Sequence, residues 1–189
     1  MNLNGPIVII GFMGSGKTAV ARALARRLNL PIVDLDNTIA EQHGRTAAQL
    51  IREDGEPVFR SIETKVLHQL LERGERSVIS LGGGAWITET NRRLIDQYGC
   101  VSVWLDASFE LCWLRIEASA EDRPLGRTRE QAEELFRVRQ PVYQQATIHL
   151  SVHSAESVDS IVDRLVPQIN TENTDNSPSQ KSCYPCPSV

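Results

Sequence analysis

The sequence predicts an α/β fold, a parallel sheet covered by helices on both faces. Three observations point to it. Short β-branched runs alternate with helix-period segments along most of the chain. The first of these runs, Ile7-Val8-Ile9-Ile10, leads through a glycine-rich turn directly into a helical pattern. The length of 189 residues, with 41% hydrophobic and 23% charged, suits one domain with an ordinary core and leaves no room for a separate substrate domain.

Each element follows from local pattern. After the first strand, Val20, Ala21, Leu24, Ala25 and Leu28 recur at helical spacing over 17–28, with Arg22, Arg26 and Arg27 on the other face. A second strand is expected at 31–35, ending among Asp34 and Asp36. Helical patterns follow over 38–43, 46–53 and 57–72, punctuated by Gly44, Gly55 and Gly74. Residues 77–81 read as a third strand that runs into Gly82-Gly83-Gly84. A helix over 89–97, a strand over 101–105 and a helix over 109–117 come next. Residues 118–129 are polar and aperiodic and read as a mobile loop. A helix over 130–142, a strand over 148–152 and a helix over 155–166 complete the domain, the last with Val158, Ile161, Val162 and Leu165 on one face. From 168 to 189 the composition turns to Asn, Thr, Ser, Pro and Gln, so a polar tail without ordered structure is expected there, after a domain over 1–167.

Composition excludes several classes of function. No apolar run approaches the roughly 20 residues that cross a bilayer, and the mean hydropathy is −0.26. No membrane partner is expected. The first residues lack the pattern of a secretory or transit peptide, so a cytoplasmic location is expected. A net charge of −4 argues against nucleic acid as a partner. Lys17, Lys65 and Lys181 are the only lysines among the 20 basic residues; the rest are arginines, whose planar fork suits carboxylates and phosphates. Cys100 and Cys112 sit in apolar surroundings and read as small core residues. Cys183 and Cys186 form a C-x-x-C pair in the tail with no second pair to complete a metal site. His43, His68, His149 and His153 make no ligand cluster.

The chemistry concentrates in a few motifs. Residues 11–18, GFMGSGKT, match G-x-x-x-x-G-K-[ST] in full, between a strand and a helix, which is the context a phosphate-binding loop requires. Its glycines let backbone N–H groups turn toward phosphate oxygens, and the helix N-terminus adds positive potential. Lys17 would reach the β- and γ-phosphates and the Thr18 hydroxyl would ligate Mg²⁺. Asp34 and Asp36 stand at the carboxyl end of the second strand, where ligands sit in open α/β sheets. Two apart on a strand they point to one side, and they diverge if the strand ends between them. One could hold a metal through water and the other face an acceptor hydroxyl; Asp36 could also cap the helix that follows. Gly82-Gly83-Gly84 at a strand end suggests close backbone approach to a ligand, or else a loop needing unusual dihedrals. Among Arg123, Arg127, Arg129, Arg137 and Arg139, Arg123 before a proline and Arg139 before Gln140-Pro141 are the candidates for ligand contact; the others read as a solvated face. A small acid bearing hydroxyls would need a cationic clamp and a proton acceptor, which Arg60 with Arg139, and Asp36, could supply.

In this order, GFMGSGKT, Asp34-Leu35-Asp36, Gly55-Glu56-Pro57-Val58-Phe59-Arg60, Gly82-Gly83-Gly84, Arg123-Pro124-Leu125 and Arg139-Gln140-Pro141-Val142-Tyr143 resemble the shikimate kinase family over about residues 5–167. The resemblance implies a five-stranded parallel sheet like that of P-loop nucleoside monophosphate kinases, with a lid at about 118–129. It implies transfer of the γ-phosphoryl of ATP to the 3-hydroxyl of shikimate, in aromatic amino-acid biosynthesis, by a monomer. Carried over by position, Gly14, Ser15, Gly16, Lys17, Thr18 and Ala19 surround the nucleotide phosphates, Thr18 ligates Mg²⁺, and Asp34 lies near the metal through water. Lys17, Asp36 and Arg123 are the implied catalytic residues, Arg123 reaching ATP from the lid. Asp36, Arg60, Gly83 and Arg139 are the implied shikimate contacts, with Asp36 as base. The chain departs from the family's frequent RPLL by placing Gly126 after Leu125, and it shows no ordinary acidic Walker B strand. A gluconate kinase would suit the same clamp, and a catalytically silent binding relative is the alternative from another class. Retention of Lys17, Asp36 and Arg139 argues against silence, and no N-K-x-D-like base-reading motif supports a GTPase.

Overall fold

The computed structural model describes residues 5–119 and 128–175. Its centre is a sheet of five strands, β1 (Ile7–Ile10), β2 (Ile32–Asp34), β3 (Val78–Ser80), β4 (Val101–Ala107) and β5 (Ile148–Val152). All neighbours are parallel, in the order β2-β3-β1-β4-β5. Every residue of β1 is buried, as a central strand covered on both faces must be.

The helices are α1 (Lys17–Leu28), α2 (Leu35–His43), α3 (Ala47–Asp54), α4 (Glu56–Glu72), α5 (Glu89–Gln97), α6 (Phe109–Glu117), α7 (Arg129–Tyr143) and α8 (Val158–Asp175), with a 3₁₀ turn at Ala85–Ile87. From β1 the chain crosses over β3 to reach β2, and from β3 it crosses back over β1 to reach β4. Right-handed crossovers in opposite directions put α1 on one face and α4 and α5 on the other. Contacts agree: α8 packs along α1, and α5 packs on α4 and β4. The reversal of direction falls at β1, so the crevice beyond its carboxyl end is where such a sheet binds ligands.

Local chemistry fixes the elements. In α3 the Thr46 hydroxyl accepts from Gln49 N at 3.3 Å while Gln49 Oε1 accepts from Thr46 N at 2.8 Å, a reciprocal cap. The Ser108 hydroxyl caps α6 through Leu111 N at 3.3 Å.

Two expectations need correction. The second strand ends at Asp34, one residue early, and α2 begins at Leu35 rather than 38. Asp34 is the cap of α2, its carboxylate accepting from Asn37 N at 3.3 Å, so Asp36 lies inside the first helical turn and is not the cap. The last helix does not stop near 166. It continues through Pro167 to Asp175, and Ile169 is 0% exposed. Ile169 extends the row Ile161, Leu165 at a spacing of four, and burying it outweighs the hydrogen bond that Pro167 cannot donate. Residues 168–175 are therefore helical, and the boundary expected at 168 cuts an element. Most of the lid expected at 118–129, with Arg123 and Arg127, lies outside the described residues, as do Cys183 and Cys186.

Candidate active site

Three groups of residues meet beyond the carboxyl ends of β1, β2 and β3. The phosphate loop comes first. Gly14 takes φ +78°, and a Cβ there would stand 2.5 Å from the Cys112 carbonyl oxygen, so both backbone and space demand glycine. The helix cap is Gly16, which offers α1 no side-chain oxygen, so the first-turn N–H groups, that of exposed Ala19 among them, face the loop as donors for an anion. Lys17 Nζ donates to the Phe12 carbonyl at 2.9 Å, folding the ammonium over the loop. The Ser15 hydroxyl is buried with no partner among the described residues. From behind, Arg115 Nη1 donates to the carbonyls of Gly14 and Ser15, each at 3.1 Å, which fixes those peptide planes. Nothing in the sequence marked this arginine, because the contact spans about a hundred residues.

The second group is a corner of oxygens. Parallel register sets Asp34 beside Ser80 and Ser80 beside Ile9, so β2 and β3 present both side chains where the loop begins. Thr18 Oγ1 donates to Asp34 Oδ2 at 3.1 Å and lies 3.5 Å from Ser80 Oγ. Spending its proton on Asp34 turns the Thr18 lone pairs outward. Hard oxygen donors of this kind, one of them anionic, suit Mg²⁺, which keeps waters and phosphate oxygens in its remaining positions. Among the described residues no three His, Cys, Asp or Glu side chains form a cage of their own. Ser80 was not singled out from sequence; only the register reveals it.

The third group holds the two arginines expected to clamp an acid. Asp36, on the first turn of α2, lays its carboxylate against Gly82, where a Cβ would come within 2.7 Å of Oδ1. Arg60 on α4 lies across Gly84, whose absent side chain makes room for the guanidinium. Its Nη1 donates to Glu63 Oε1 and Oε2 at 3.0 and 2.8 Å, and its Nε and Nη2 to Glu56 Oε1 at 3.2 and 3.0 Å. Arg139 on α7 is buried and donates from Nη1 to the Gly83 carbonyl at 3.3 Å. The Tyr143 hydroxyl donates to the same carbonyl, and burial pushes its pKa up to about 12, so it stays a donor. Trp86 Nε1 donates to the Val142 carbonyl at 2.9 Å and ties the segment after the three glycines to α7. A Cβ on Gly83 would sit 3.4 Å from Met13 N, so this glycine joins the arginine-bearing group to the phosphate loop.

The structure thus brings Asp36, Arg60, Gly83 and Arg139 onto one side of the crevice, and Gly14, Ser15, Gly16, Lys17, Thr18, Ala19 and Asp34 onto the other. Arg123 lies outside the described residues. Of the remaining arginines of that stretch, Arg137 is exposed and paired with Glu134 at 2.6 Å, and Arg129 rests over the Phe109 ring. Glu63 is a further polar neighbour of the site, and its signal in the sequence is Arg60 three residues earlier on one helix. No helix of the described residues is long and apolar enough to cross a membrane.

Comparison with known proteins fits this arrangement. The family model described as shikimate kinase matches residues 13–170. A shikimate kinase of Cereibacter sphaeroides is 48% identical over 157 residues, 82% of this chain and 76% of that one. One of Ruegeria pomeroyi is 39% identical over 89% of this chain and 87% of its own. Among solved structures, a shikimate kinase from Bacteroides thetaiotaomicron superposes with a TM-score of 0.79 at 31% identity, over 88% of this chain and 98% of that one. One from Acinetobacter baumannii in complex with shikimate gives 0.77 at 28% identity, over 90% and 95%. A gluconokinase from Sinorhizobium meliloti, at 18% identity and a TM-score of 0.63 over 94% and 100%, shares the fold alone. This chain belongs to the shikimate kinase family.

Proposed function

We propose that the chain transfers the γ-phosphoryl of ATP to the 3-hydroxyl of shikimate with Mg²⁺, as a monomer in the cytoplasm, without nucleic-acid or membrane partners. The observation that carries the reading is Gly83: its carbonyl is shared by Arg139 and Tyr143 while its backbone abuts the phosphate loop at Met13. One short segment therefore fixes the distance between an acid clamp and a phosphate cradle, as transfer to a hydroxy acid requires.

In this reading Lys17 leaves the Phe12 carbonyl for the β- and γ-phosphates, and the loop N–H groups from Gly14 to Ala19 take the remaining oxygens. Thr18 and, through water, Asp34 would hold Mg²⁺, which when bound supplies neutralisation of phosphate charge. Arg60 and Arg139 hold the substrate carboxylate, and Gly83 meets the ring. Asp36 accepts the proton of the attacking hydroxyl. Arg123, taken from the family's motif, reaches the nucleotide from a lid at about 118–129, and closure excludes water.

A coupled ADP-release assay with Mg²⁺-ATP and shikimate, gluconate or AMP tests this. ADP release is expected with shikimate and only background with the other two. Turnover of gluconate or AMP with none of shikimate overturns the reading.

A further inference from the structure

Glu63 is an acid that the chemistry above does not use. It sits on α4 one turn after Arg60, with its side chain 1% exposed. Its oxygens take Arg60 Nη1, while Glu56 takes Nε and Nη2 of the same guanidinium. A guanidinium grips a carboxylate best through two parallel N–H groups. Here each edge of Arg60 that offers such a pair includes a nitrogen already donating to an acid of the chain. An incoming carboxylate therefore competes with these acids for the charge of the guanidinium and for its remaining N–H groups.

The two acids are not equivalent. The Glu56 side chain is 43% exposed, so water replaces whatever it loses. Glu63 has no water to turn to, and a buried anion deprived of its partner is strongly disfavoured. Its charged surroundings are Arg60 on its own helix, Asp36 on α2 and Arg139 on α7. Arg139 already points one nitrogen at the Gly83 carbonyl. A substrate anion entering between the two arginines draws both of them from Glu63 and adds a second negative neighbour to Asp36.

We infer that binding of a carboxylic acid at Arg60 is coupled to uptake of a proton by Glu63, so that the clamp admits the substrate's charge by giving up its own. The proton comes from solvent and returns there when the acid or its product leaves. The group is placed for this near neutrality. Burial first, and Asp36 in addition, push the Glu63 pKa up to about 7, while Arg60 and Arg139 pull it down. A bound anion weakens the downward pull and adds to the upward one, so the pKa in the complex is higher still. Well below pH 7 Glu63 is already neutral and binding takes up nothing. Through pH 7 and above uptake rises, and it vanishes once the pH passes the pKa of the complex. Affinity for the acid is therefore greatest on the acid side and falls as pH climbs through that window, about tenfold for each unit by which binding raises the pKa.

The inference rests on the reading of Arg60 as the carboxylate partner, and calorimetry of the full chain separates the two. Shikimate is titrated near neutral pH in buffers of low and high ionisation enthalpy. The expected result is an apparent enthalpy that varies linearly with the buffer, with a slope of about half a proton or more just above pH 7. In Glu63→Gln, whose amide oxygen still accepts from Arg60, the slope should fall to near zero; in Asp36→Asn it should persist. A zero slope in the parent chain, or an unchanged slope in Glu63→Gln, overturns the inference. A second measurement needs no variant: the shikimate Kd of the parent should weaken several-fold between about one unit below and two units above neutrality, and a flat profile overturns it equally. Absence of any shikimate binding across the pH range fails the clamp reading itself.

Discussion

Replacing Gly82 by alanine sets a methyl group where the Asp36 carboxylate now rests. The new Cβ would stand 2.7 Å from Oδ1 and 3.0 Å from Oδ2. The φ of Gly82 is not positive, so the backbone accepts alanine without strain. Relief has to come from the carboxylate, the mobile end of a short side chain. Moving it from 2.7 Å out to the 3.4 Å at which ordinary contact begins shifts it about 0.7 Å, and a misplacement of roughly 1 Å costs on the order of a hundredfold in rate. The off-rotamer strain is only about 1 kcal/mol. Turnover should therefore fall about 10- to 100-fold, or about 1.4–2.7 kcal/mol in the barrier, while the protein stays folded. The assay is coupled ADP release at saturating shikimate and Mg²⁺-ATP, with KM for ATP and a thermal melt as controls. KM for ATP should stay within about twofold and Tm within about 4 °C. Turnover within a factor of about two of the parent would refute the reasoning, and so would a loss accompanied by a collapse in Tm, which would make Gly82 a packing residue only.

The same loop offers a second handle: an alanine at Gly84 would intrude on the Arg60 guanidinium, 2.6 Å from Cζ and 2.7 Å from Nη1, so KM for shikimate should rise about tenfold with a smaller change in kcat. Equal effects on ATP and shikimate would contradict that. Asp36→Asn should lower kcat by about 10² or more while nucleotide affinity, read by ADP titration, stays within about twofold; near-normal turnover removes Asp36 as the proton acceptor. Ile169→Ala should cost about 2–4 kcal/mol and about 5–15 °C in Tm without altering KM; an unchanged melt would mean that the end of α8 does not dock.

Much of the architecture was legible because period and punctuation agree locally. The spans expected for β1, α1, α5, α6 and β5 coincide with those observed, each adjoining a Gly, Ser or Thr that marks one of its ends. Discrepancies arise where two local solutions compete. Asp34 and Asp36 are equally good caps by type, and the choice fell to Asp34 because the strand has to end level with Ser80. The polar composition after Pro167 concealed Ile169, although its spacing from Leu165 carried the helical signal. At the site, the motif residues were legible as chemistry, but their supports were not. Glu63 meets Arg60 three residues away on one helix, but Arg115, Ser80 and Tyr143 act through contacts set by strand register or by helices distant in the chain. A single sequence has no period that encodes such contacts.

Trp86, 2% exposed and bonded through its indole N–H to α7, stands at the joint between the triple-glycine segment and the helix carrying Arg139. The protein therefore contains its own optical probe of that joint. With Trp104 and Trp113 replaced by phenylalanine, emission reports on a single indole. Any loosening of its bond to the Val142 carbonyl when the acid arrives registers as a change in colour or intensity, with no dye attached.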